Sequence, residues 1–326
     1  MPRRKNTRSR RAPHGPPLLA ALDLGSNNCR LLIARAEGDG FRVADSFSRI
    51  VRLGEGVAKT GMLSKDAIDR TVDALRVCAA LIKKSGARRV SVIATEACRR
   101  ARNADVLVTR AKNEAGLTLK IISEEEEARL AAIGCAPLIG AEYDGALVFD
   151  IGGGSTEMIW MTHKSGKAEI VHAASLPLGV VSLSEKYGDG RNVYATLRAE
   201  VDAPIAEVRA AMERKAHFDL TRHHLLGTSG TVTTLAGIAL GLPRYVRAKV
   251  DATWHDTAEI LSVVDRLSLL DVRGRSAIGC IGPERAGLVL PGCAVFAAIA
   301  AHWPCNRLRV ADRGLREGML RDLSSK

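Results

Sequence analysis

Two segments far apart in the chain share one layout. Residues 18–35 (LLAALDLGSNNCRLLIAR) and 145–162 (GALVFDIGGGSTEMIWMT) each contain an apolar run, an aspartate, one apolar residue, a glycine, a polar turn and a second apolar run. One constant offset superimposes the matching positions, pairing Asp23 with Asp150, Gly25 with Gly152, Asn28 with Ser155, and Arg30 with Glu157. Each segment is typical of a β-hairpin with buried strands. The offset is too long for a solenoid repeat, so we expect two lobes of similar topology whose hairpin turns face each other.

The size and composition of the chain agree with two lobes. Its 326 residues exceed the roughly 250 to 300 at which a single hydrophobic core stops growing. Strands and helices alternate along the sequence, which favours an α/β class with mixed sheets. No apolar run reaches the roughly 18 residues of a spanning helix, and prolines interrupt the N-terminal segment before any signal-peptide stretch. A cytoplasmic protein without membrane contact is therefore expected.

Cysteines and charge exclude several classes of protein. The 7 cysteines are scattered and never spaced as C-x-x-C, which disfavours both a disulfide framework and a structural zinc site. Half of the net charge of +12 comes from residues 1–17, which contain 6 basic residues and no acid, and the rest of the chain is moderately basic. This tail is predicted to be a solvated, disordered arm, with contact to nucleic acid or anionic lipid as the alternative. Nucleic acid is not expected as a partner, because only 4% of the residues are aromatic and few are available to stack on bases.

The two duplicated turns suit a metal ion and a phosphate group. Their glycines allow backbone N–H groups to converge on an anion, and small polar side chains add donors. The aspartate that opens each turn repels phosphate directly, but it can hold a divalent cation that the phosphate also binds. A third candidate is the segment 227–231 (GTSGT), where a predicted strand meets a helix N-terminus. The alternatives are tight hairpins for the first two turns and ordinary helix capping for the third.

The acidic run 124–127 begins a predicted helix. Ser123 is its expected N-cap, Glu126 stands at the capping-box position, and acids in the first turn are favoured by the helix dipole. Glu127 differs because it shares a helical face with apolar or small residues, namely Leu130, Ala131, Gly134 and Leu138. A carboxylate on that face either pairs with an arginine or, beside a cleft, accepts a proton from a water that attacks phosphorus.

Arg99 and Arg100 follow the predicted strand 89–95. Guanidinium groups bind phosphate through paired hydrogen bonds, so both are candidates, with solvated helix surface as the alternative. The sequence lacks G-x-x-x-x-G-K-[ST], H-E-x-x-H and G-x-S-x-G. P-loop, zincin and nucleophile-elbow mechanisms are therefore not expected.

Taken together, these segments resemble the exopolyphosphatase / guanosine pentaphosphate phosphohydrolase family of the actin, sugar kinase and heat-shock ATPase superfamily. The resemblance covers about residues 19–322 and is carried in order by ALDLGSNNCRLLIA, RLGEG, TEACRRARN, IISEEEEARL, LVFDIGGGSTE, SLPLGVVSL, GTSGT and RVADRGLREGML. It implies two actin-like (ribonuclease H-like) lobes of mixed sheets and helices around a central cleft. The predicted division is a basic disordered tail (1–17), a first lobe (18–130) and a second lobe (131–326), whose last helix (313–326) packs back on the first.

The resemblance also implies roles for individual positions. Glu127, the last glutamate before Ala-Arg-Leu, matches the base that activates the attacking water. Asp150 and Glu157 match positions associated with a divalent cation, Mg²⁺, and Arg99 matches a phosphate-contacting arginine. The other matches are phosphate-binding positions: Asp23, Gly25, Ser26, Asn27 and Asn28 in the first loop, Gly152, Gly153, Gly154, Ser155 and Thr156 in the second, and Gly227, Thr228, Ser229, Gly230 and Thr231 in the third.

This sequence departs from the family pattern in three places. Glu124 stands where a glycine is usual and Asn28 where a serine is usual. Long members also carry a C-terminal helical domain, whereas this chain ends soon after LREGML, so a short form is expected.

The resemblance implies Mg²⁺-dependent release of terminal orthophosphate from inorganic polyphosphate. Hydrolysis of guanosine pentaphosphate at its 5′-terminal phosphate by the same site is the close alternative. A kinase or ATPase of the superfamily, or a non-catalytic regulator that senses polyphosphate through its basic tail, are further alternatives. A homodimer is the expected assembly.

Overall fold

The computed structural model describes residues 16–38, 40–164, 167–188 and 193–325. Most of the predicted basic tail therefore lies outside the described residues. The described residues form two mixed sheets with helices, which confirms the α/β class with two lobes. Among them, no helix combines the length and the hydrophobicity that crossing a bilayer requires.

The first sheet and its helices come from the N-terminal part of the chain. The strands are β1 (Leu18–Leu24), β2 (Asn28–Glu37), β3 (Gly40–Ile50), β4 (Arg89–Ala94) and β5 (Lys120–Ile121). The helices are α1 (Val57–Thr60), α2 (Lys65–Ser85), α3 (Glu96–Arg100), α4 (Ala104–Ala115) and α5 (Glu124–Cys135). The strand order is β3-β2-β1-β4-β5. Ser123 caps α5 as predicted, because its side chain accepts from the Glu126 amide at 3.2 Å. Ser64 caps α2 in the same way, by accepting from the Ala67 amide at 3.2 Å.

The second sheet contains six strands. They are β6 (Gly145–Ile151), β7 (Thr156–Lys164), β8 (Lys167–Leu176), β9 (His223–Thr228), β10 (Trp254–Asp256) and β11 (Arg307–Val310), in the order β10-β11-β9-β6-β7-β8. The helices are α6 (Val180–Tyr187), α7 (Val193–Glu213), α8 (Ser229–Ala239), α9 (Arg247–Val250), α10 (Thr257–Ser268), α11 (Val272–Ser276), α12 (Val289–His302) and α13 (Leu315–Ser324). Short 3₁₀ turns at Ala136–Leu138 and Ala286–Leu288 complete the list.

The two sheets repeat one topology. Strand β1 pairs antiparallel with β2 and parallel with β4, and β6 pairs antiparallel with β7 and parallel with β9. The hairpin registers also agree, since Asp23 lies opposite Arg30 and Asp150 lies opposite Glu157. In each turn a glycine amide donates to the carbonyl three residues on, at 3.0 Å for Gly25 and 2.9 Å for Gly152. The predicted duplication of the hairpin is therefore confirmed at the level of single hydrogen bonds.

Helices α5 and α13 connect the two halves of the molecule. Leu130 of α5 and Met319 and Leu320 of α13 are buried in one cluster with residues of β1 and β4. The opposite face of α5, including Ala128 and Ala131, packs on the second sheet. The predicted lobe boundary at residue 130 thus falls inside a helix that both sheets share.

Glycines let α5 and α13 approach closely. A Cβ atom placed on Gly318 would overlap the carbonyl oxygen of Leu130, and one placed on Gly134 would overlap that of Gly314. Backbone atoms cannot give way as a flexible side chain can, so both positions require glycine for packing. The close crossing fixes the N-terminus of α13 relative to the first sheet.

Candidate active site

A cavity of about 500 Å³ lies between the two sheets. Its wall contains both hairpin turns, the start of α8, the side chain of Glu127 and the segment that leads into α13. Cavities of this size are typical of sites for small molecules.

The two hairpin turns face each other across one end of the cavity. A Cβ atom on Gly153 would lie 3.2 Å from the amide nitrogen of Asn27 and 3.2 Å from Cβ of Ser26. On Gly154 it would overlap the carboxylate of Glu96. The glycines of the second turn are therefore needed because the first lobe approaches this backbone closely.

Backbone amides, rather than hydroxyl groups, are the available donors in these turns. Ser26 donates its hydroxyl to Glu96 at 2.7 Å, and Ser155 donates its hydroxyl to Glu157 at 2.5 Å. The amides of four turn residues have no acceptor within the described part of the chain, namely Ser26, Asn27, Gly153 and Gly154. Convergent unbonded N–H groups of this kind form a nest for an anion.

The third predicted loop joins β9 to α8, and the N-terminus of α8 lies at the cavity wall. Thr228, Ser229, Gly230 and Thr231 line the wall. Ser229 has a φ of 90°, a left-handed value unusual for a residue other than glycine. Its buried hydroxyl oxygen has no hydrogen-bond partner among the described residues. Backbone strain together with an unsatisfied polar atom is frequent at ligand sites, and the free amides of a helix N-terminus favour an anion here.

Glu127 projects from the first turn of α5 into the cavity, where its side chain is 12% exposed. Arg99 of α3 donates from Nη1 to its Oε2 at 2.7 Å and to the Ile122 carbonyl at 3.2 Å. The pKa of Glu127 is raised to about 7, mainly by burial and also by the charges of Asp23 and Asp150, while Arg99 acts in the opposite direction. Glu127 therefore pairs with an arginine and also faces the cavity, so the two arrangements considered from the sequence occur together.

Three further carboxylates lie with Glu127 at this end of the cavity. Burial raises the pKa of Asp150 to about 6, and it raises the pKa of Asp23 while nearby Arg30 lowers it. For Glu157, burial and then the charges of Glu127 and Asp150 raise the pKa well above its usual value. Hydroxyl donors from Ser155 and Ser175 hold one oxygen of Glu157, at 2.5 and 3.1 Å. Crowded acids with raised pKa values are a common mark of a functional site.

The chemistry of these carboxylates fits a hard divalent cation. One carboxylate oxygen of Asp23 is buried and has no hydrogen-bond partner among the described residues. No group of three or more His, Cys, Asp or Glu side chains within the described ranges is arranged to hold a metal ion by itself. A cation held by two carboxylates and completed by phosphate oxygens and water suits Mg²⁺, which usually keeps several waters.

Most of the predicted site residues line this one cavity. The exceptions are Arg99, Thr156 and Gly227. Thr156 is buried and donates its hydroxyl to the Leu178 carbonyl at 2.7 Å, so it fixes the loop behind the turn. Gly227 packs against Phe149 and Val232, where a Cβ atom would lie 2.7 and 2.8 Å from their side-chain carbons. Arg99 lies behind Glu127, and its predicted contact with phosphate stays a prediction.

Sequence reasoning missed several charged residues in the cavity wall. They are Arg30, Glu96, Arg247, Arg285, Asp312, Arg313, Arg316 and Glu317. Two signals pointed to some of them. Arg30 stands where the second hairpin has Glu157, and four of the others belong to the segment DRGLREG. For Arg247 and Arg285 no local pattern marks the residue.

Comparison with known proteins supports one family. Residues 32–326 match the Ppx/GppA phosphatase family. The chain is 32% identical over 314 residues to a guanosine-5'-triphosphate,3'-diphosphate pyrophosphatase of Photobacterium profundum, a match that covers 95% of this chain and 60% of that protein. It is 32% identical over 325 residues to exopolyphosphatase 2 of Mycobacterium tuberculosis, covering 94% of this chain and 98% of that protein.

A solved structure gives the same result. The crystal structure of the Ppx/GppA family member from Aquifex aeolicus superposes with a TM-score of 0.77 at 30% identity, covering 95% of this chain and 99% of the other. The resemblance inferred from the motifs is thus confirmed by sequence and by structure. Since the family match extends over almost the whole chain, this protein belongs to the Ppx/GppA phosphatase family.

Proposed function

We propose that the chain hydrolyses phosphoanhydride bonds and releases the terminal orthophosphate of inorganic polyphosphate. The observation that supports this proposal is that the two duplicated turns face each other and present four unbonded amides in the cavity that Glu127 also lines. The amides provide an anion site, and the glutamate provides a base next to it. The name of the mycobacterial relative, exopolyphosphatase 2, agrees with this activity.

In this proposal the terminal phosphate binds to the amides of the two turns and to the N-terminus of α8. Because these donors belong to opposite lobes, one phosphate bridges the cleft. Amides fixed by the fold need no reorganisation as charge develops on the phosphoryl oxygens, which is the main requirement for phosphoryl transfer. Closure of the lobes about hinges near residues 130–145 and near residue 312 would exclude bulk water from the cleft.

Glu127 acts as the general base in this mechanism. A pKa near neutrality gives a carboxylate that is both sufficiently ionised and sufficiently basic to take a proton from water. Arg99 fixes the direction of the carboxylate through one oxygen and leaves the other free for the water. No covalent intermediate on the protein is required.

Asp150 and Glu157 would hold Mg²⁺, with the unpaired oxygen of Asp23 facing the same cavity. The metal supplies charge neutralisation for the phosphoryl oxygens. Loss of either carboxylate should weaken this binding. We also propose that the protein is located in the cytoplasm and forms a homodimer.

Guanosine pentaphosphate is a second candidate substrate of the same site. The cavity of about 500 Å³ is larger than a terminal phosphate needs, and part of its wall is apolar or neutral, with Leu288, Val289 and Cys293 beside α8. This part of the wall suits a nucleoside. The name of the Photobacterium relative agrees with such a substrate.

Orthophosphate release from polyphosphate and from guanosine pentaphosphate, each with and without Mg²⁺, tests the proposal. We expect Mg²⁺-dependent release, and we expect Glu127→Gln to reduce it by roughly 10²- to 10⁴-fold. Glu124→Gln is the matched control, because Glu124 is an exposed first-turn residue of the same helix.

The outcomes separate the alternatives. No release from either substrate would refute the hydrolase proposal and leave a kinase, an ATPase or a non-catalytic regulator. Normal turnover by Glu127→Gln would remove Glu127 from the catalytic role. The ratio of kcat/KM values for the two substrates assigns the preferred one.

A further inference from the structure

Arg316 is one of three arginines of the cavity wall that have no hydrogen bond or ion pair with a described residue, together with Arg30 and Arg285. It differs in this respect from Arg247 and Arg313, which lie close to it in the structure. It lies in the first turn of α13 and lines the cavity. Arg247 donates to Glu317 at 3.0 Å, and Arg313 forms an ion pair with Asp251. The half-buried guanidinium of Arg316, in contrast, has no hydrogen bond or ion pair with any described residue.

Arg316 lies close enough to two carboxylates of the proposed reaction centre, Asp23 and Asp150, to affect their ionisation. Its charge lowers the pKa values of both Asp23 and Asp150, which burial raises. Burial also lowers the pKa of Arg316 itself, although a guanidinium stays protonated in proteins. A partly buried guanidinium without a bonded anion is unfavourable, so this arrangement is suited to an anion that binds from outside the chain.

The backbone that carries Arg316 is firmly held. Gly318 packs against the Leu130 carbonyl, Met319 and Leu320 are buried beside β1, and the Gly314 amide donates to Glu317 at 2.9 Å. Helix α13 is therefore anchored on the first sheet while Arg316 points into a cavity that the second sheet also lines. Functional groups on such fixed elements are positioned more precisely than groups on loops.

We propose that Arg316 contacts the non-bridging oxygens of the phosphoryl group that is released, and so acts as a catalytic arginine. This inference rests on the proposed hydrolase function and deepens it. A guanidinium offers two parallel N–H donors to phosphate, and it stabilises the charge that spreads over these oxygens in the transition state. Arg99 does not fill this role in the structure because its guanidinium pairs with Glu127. Among the unpaired arginines of the wall, Arg316 is the one carried by the anchored helix α13.

The competing explanation is that Arg316 only balances the charges of Asp23 and Asp150. In that case its removal would destabilise the protein but leave phosphate chemistry unchanged. The two roles differ in kinetic constants and in ligand binding, and both can be measured on the full chain.

The test compares Arg316→Gln, Arg316→Lys and wild type in orthophosphate release from polyphosphate with Mg²⁺. We expect Arg316→Gln to lower kcat/KM by about 10²- to 10³-fold, the usual effect of losing one transition-state donor. Arg316→Lys keeps the charge but not the paired donors, so we expect it to fold and to recover only part of the activity. The control is Arg321→Gln, which removes an arginine of the same helix that stacks on Phe41.

A second measurement does not depend on turnover. In a Glu127→Gln background, tripolyphosphate with Mg²⁺ should raise the melting temperature, and adding Arg316→Gln should reduce that shift. Wild-type kcat/KM together with an unchanged tripolyphosphate shift would overturn the proposal, even if the variant melts earlier. If wild type releases no phosphate, the function proposal fails, while the binding measurement still decides whether Arg316 holds the anion.

Discussion

Glu127→Gln should make the protein more stable at alkaline pH while it removes activity. The reason is that the folded chain holds this carboxyl in a buried position beside Asp23, Asp150 and Glu157, where ionisation is unfavourable. Glutamine has nearly the same shape, stays neutral at every pH and can still accept from Arg99. The variant therefore mimics the protonated form of the glutamate permanently.

The size of the effect follows from the pKa values. Glu127 has a pKa of about 7 in the folded chain, against an ordinary value of 4.5 for a glutamate exposed to water. Between these values the folded state binds more protons than the unfolded state, so wild-type stability is fully present below pH 4.5 and falls as pH rises through 7. For one group this amounts to about 2.5 kcal/mol between pH 5 and pH 8. The charge of Glu127 also raises the pKa of Glu157, so the pKa of Glu157 is lower in the variant. This change further increases the stability of the variant relative to wild type at high pH.

Thermal unfolding in EDTA-containing buffers at pH 5, 6.5 and 8 measures this effect. We expect the melting temperature of Glu127→Gln, relative to wild type, to rise by about 4 °C between pH 5 and pH 8 for a chain of this length that unfolds as one unit. EDTA is needed because a bound cation would favour the ionised carboxylates. Glu124→Gln is the control, and its difference from wild type should not change with pH in this way.

A difference between Glu127→Gln and wild type that stays constant from pH 5 to pH 8 would refute this reasoning. It would mean that Glu127 ionises normally, through access to water or through its ion pair with Arg99. A variant that becomes less stable as pH rises would reverse the sign and imply that Arg99 outweighs burial.

Two further predictions concern packing and the metal. Gly318→Ala should lower the free energy of unfolding by roughly 1–3 kcal/mol in denaturant titration, because its Cβ would overlap the Leu130 carbonyl. The control is Gly40→Ala, which should have little effect because the nearest atom would lie 3.8 Å from the new Cβ. Equal stability of the two variants would contradict the close crossing of α5 and α13. Asp150→Asn should weaken Mg²⁺ binding at least tenfold by calorimetry. In wild type, Mg²⁺ affinity should rise as pH increases through about 6, where Asp150 loses its proton; a pH-independent affinity would exclude Asp150 as a ligand.

Local sequence patterns were sufficient for the elements that build the site. The serine cap of α5, the register of the two hairpins and the inward face of Glu127 all follow from residues close together in the chain. The apolar stretch 117–122 (LTLKII) also predicts a strand, and this prediction is too long, because the strand in the structure is only Lys120–Ile121. The β-pairing there needs β4 as a neighbour, and only its last two residues reach that far.

The amino-acid sequence by itself determined the duplicated hairpins, the α/β class and the side chains that point inwards, because periodicity, capping and turn chemistry act between residues a few positions apart. Only the tertiary structure decided which groups meet. Ser26 and Glu96 are 70 residues apart, and Arg99 and Glu127 are 28 apart, yet each pair shares a hydrogen bond. The free guanidinium of Arg316 likewise depends on the crossing of α5 and α13. Such pairings depend on how distant surfaces pack, and no local pattern specifies that.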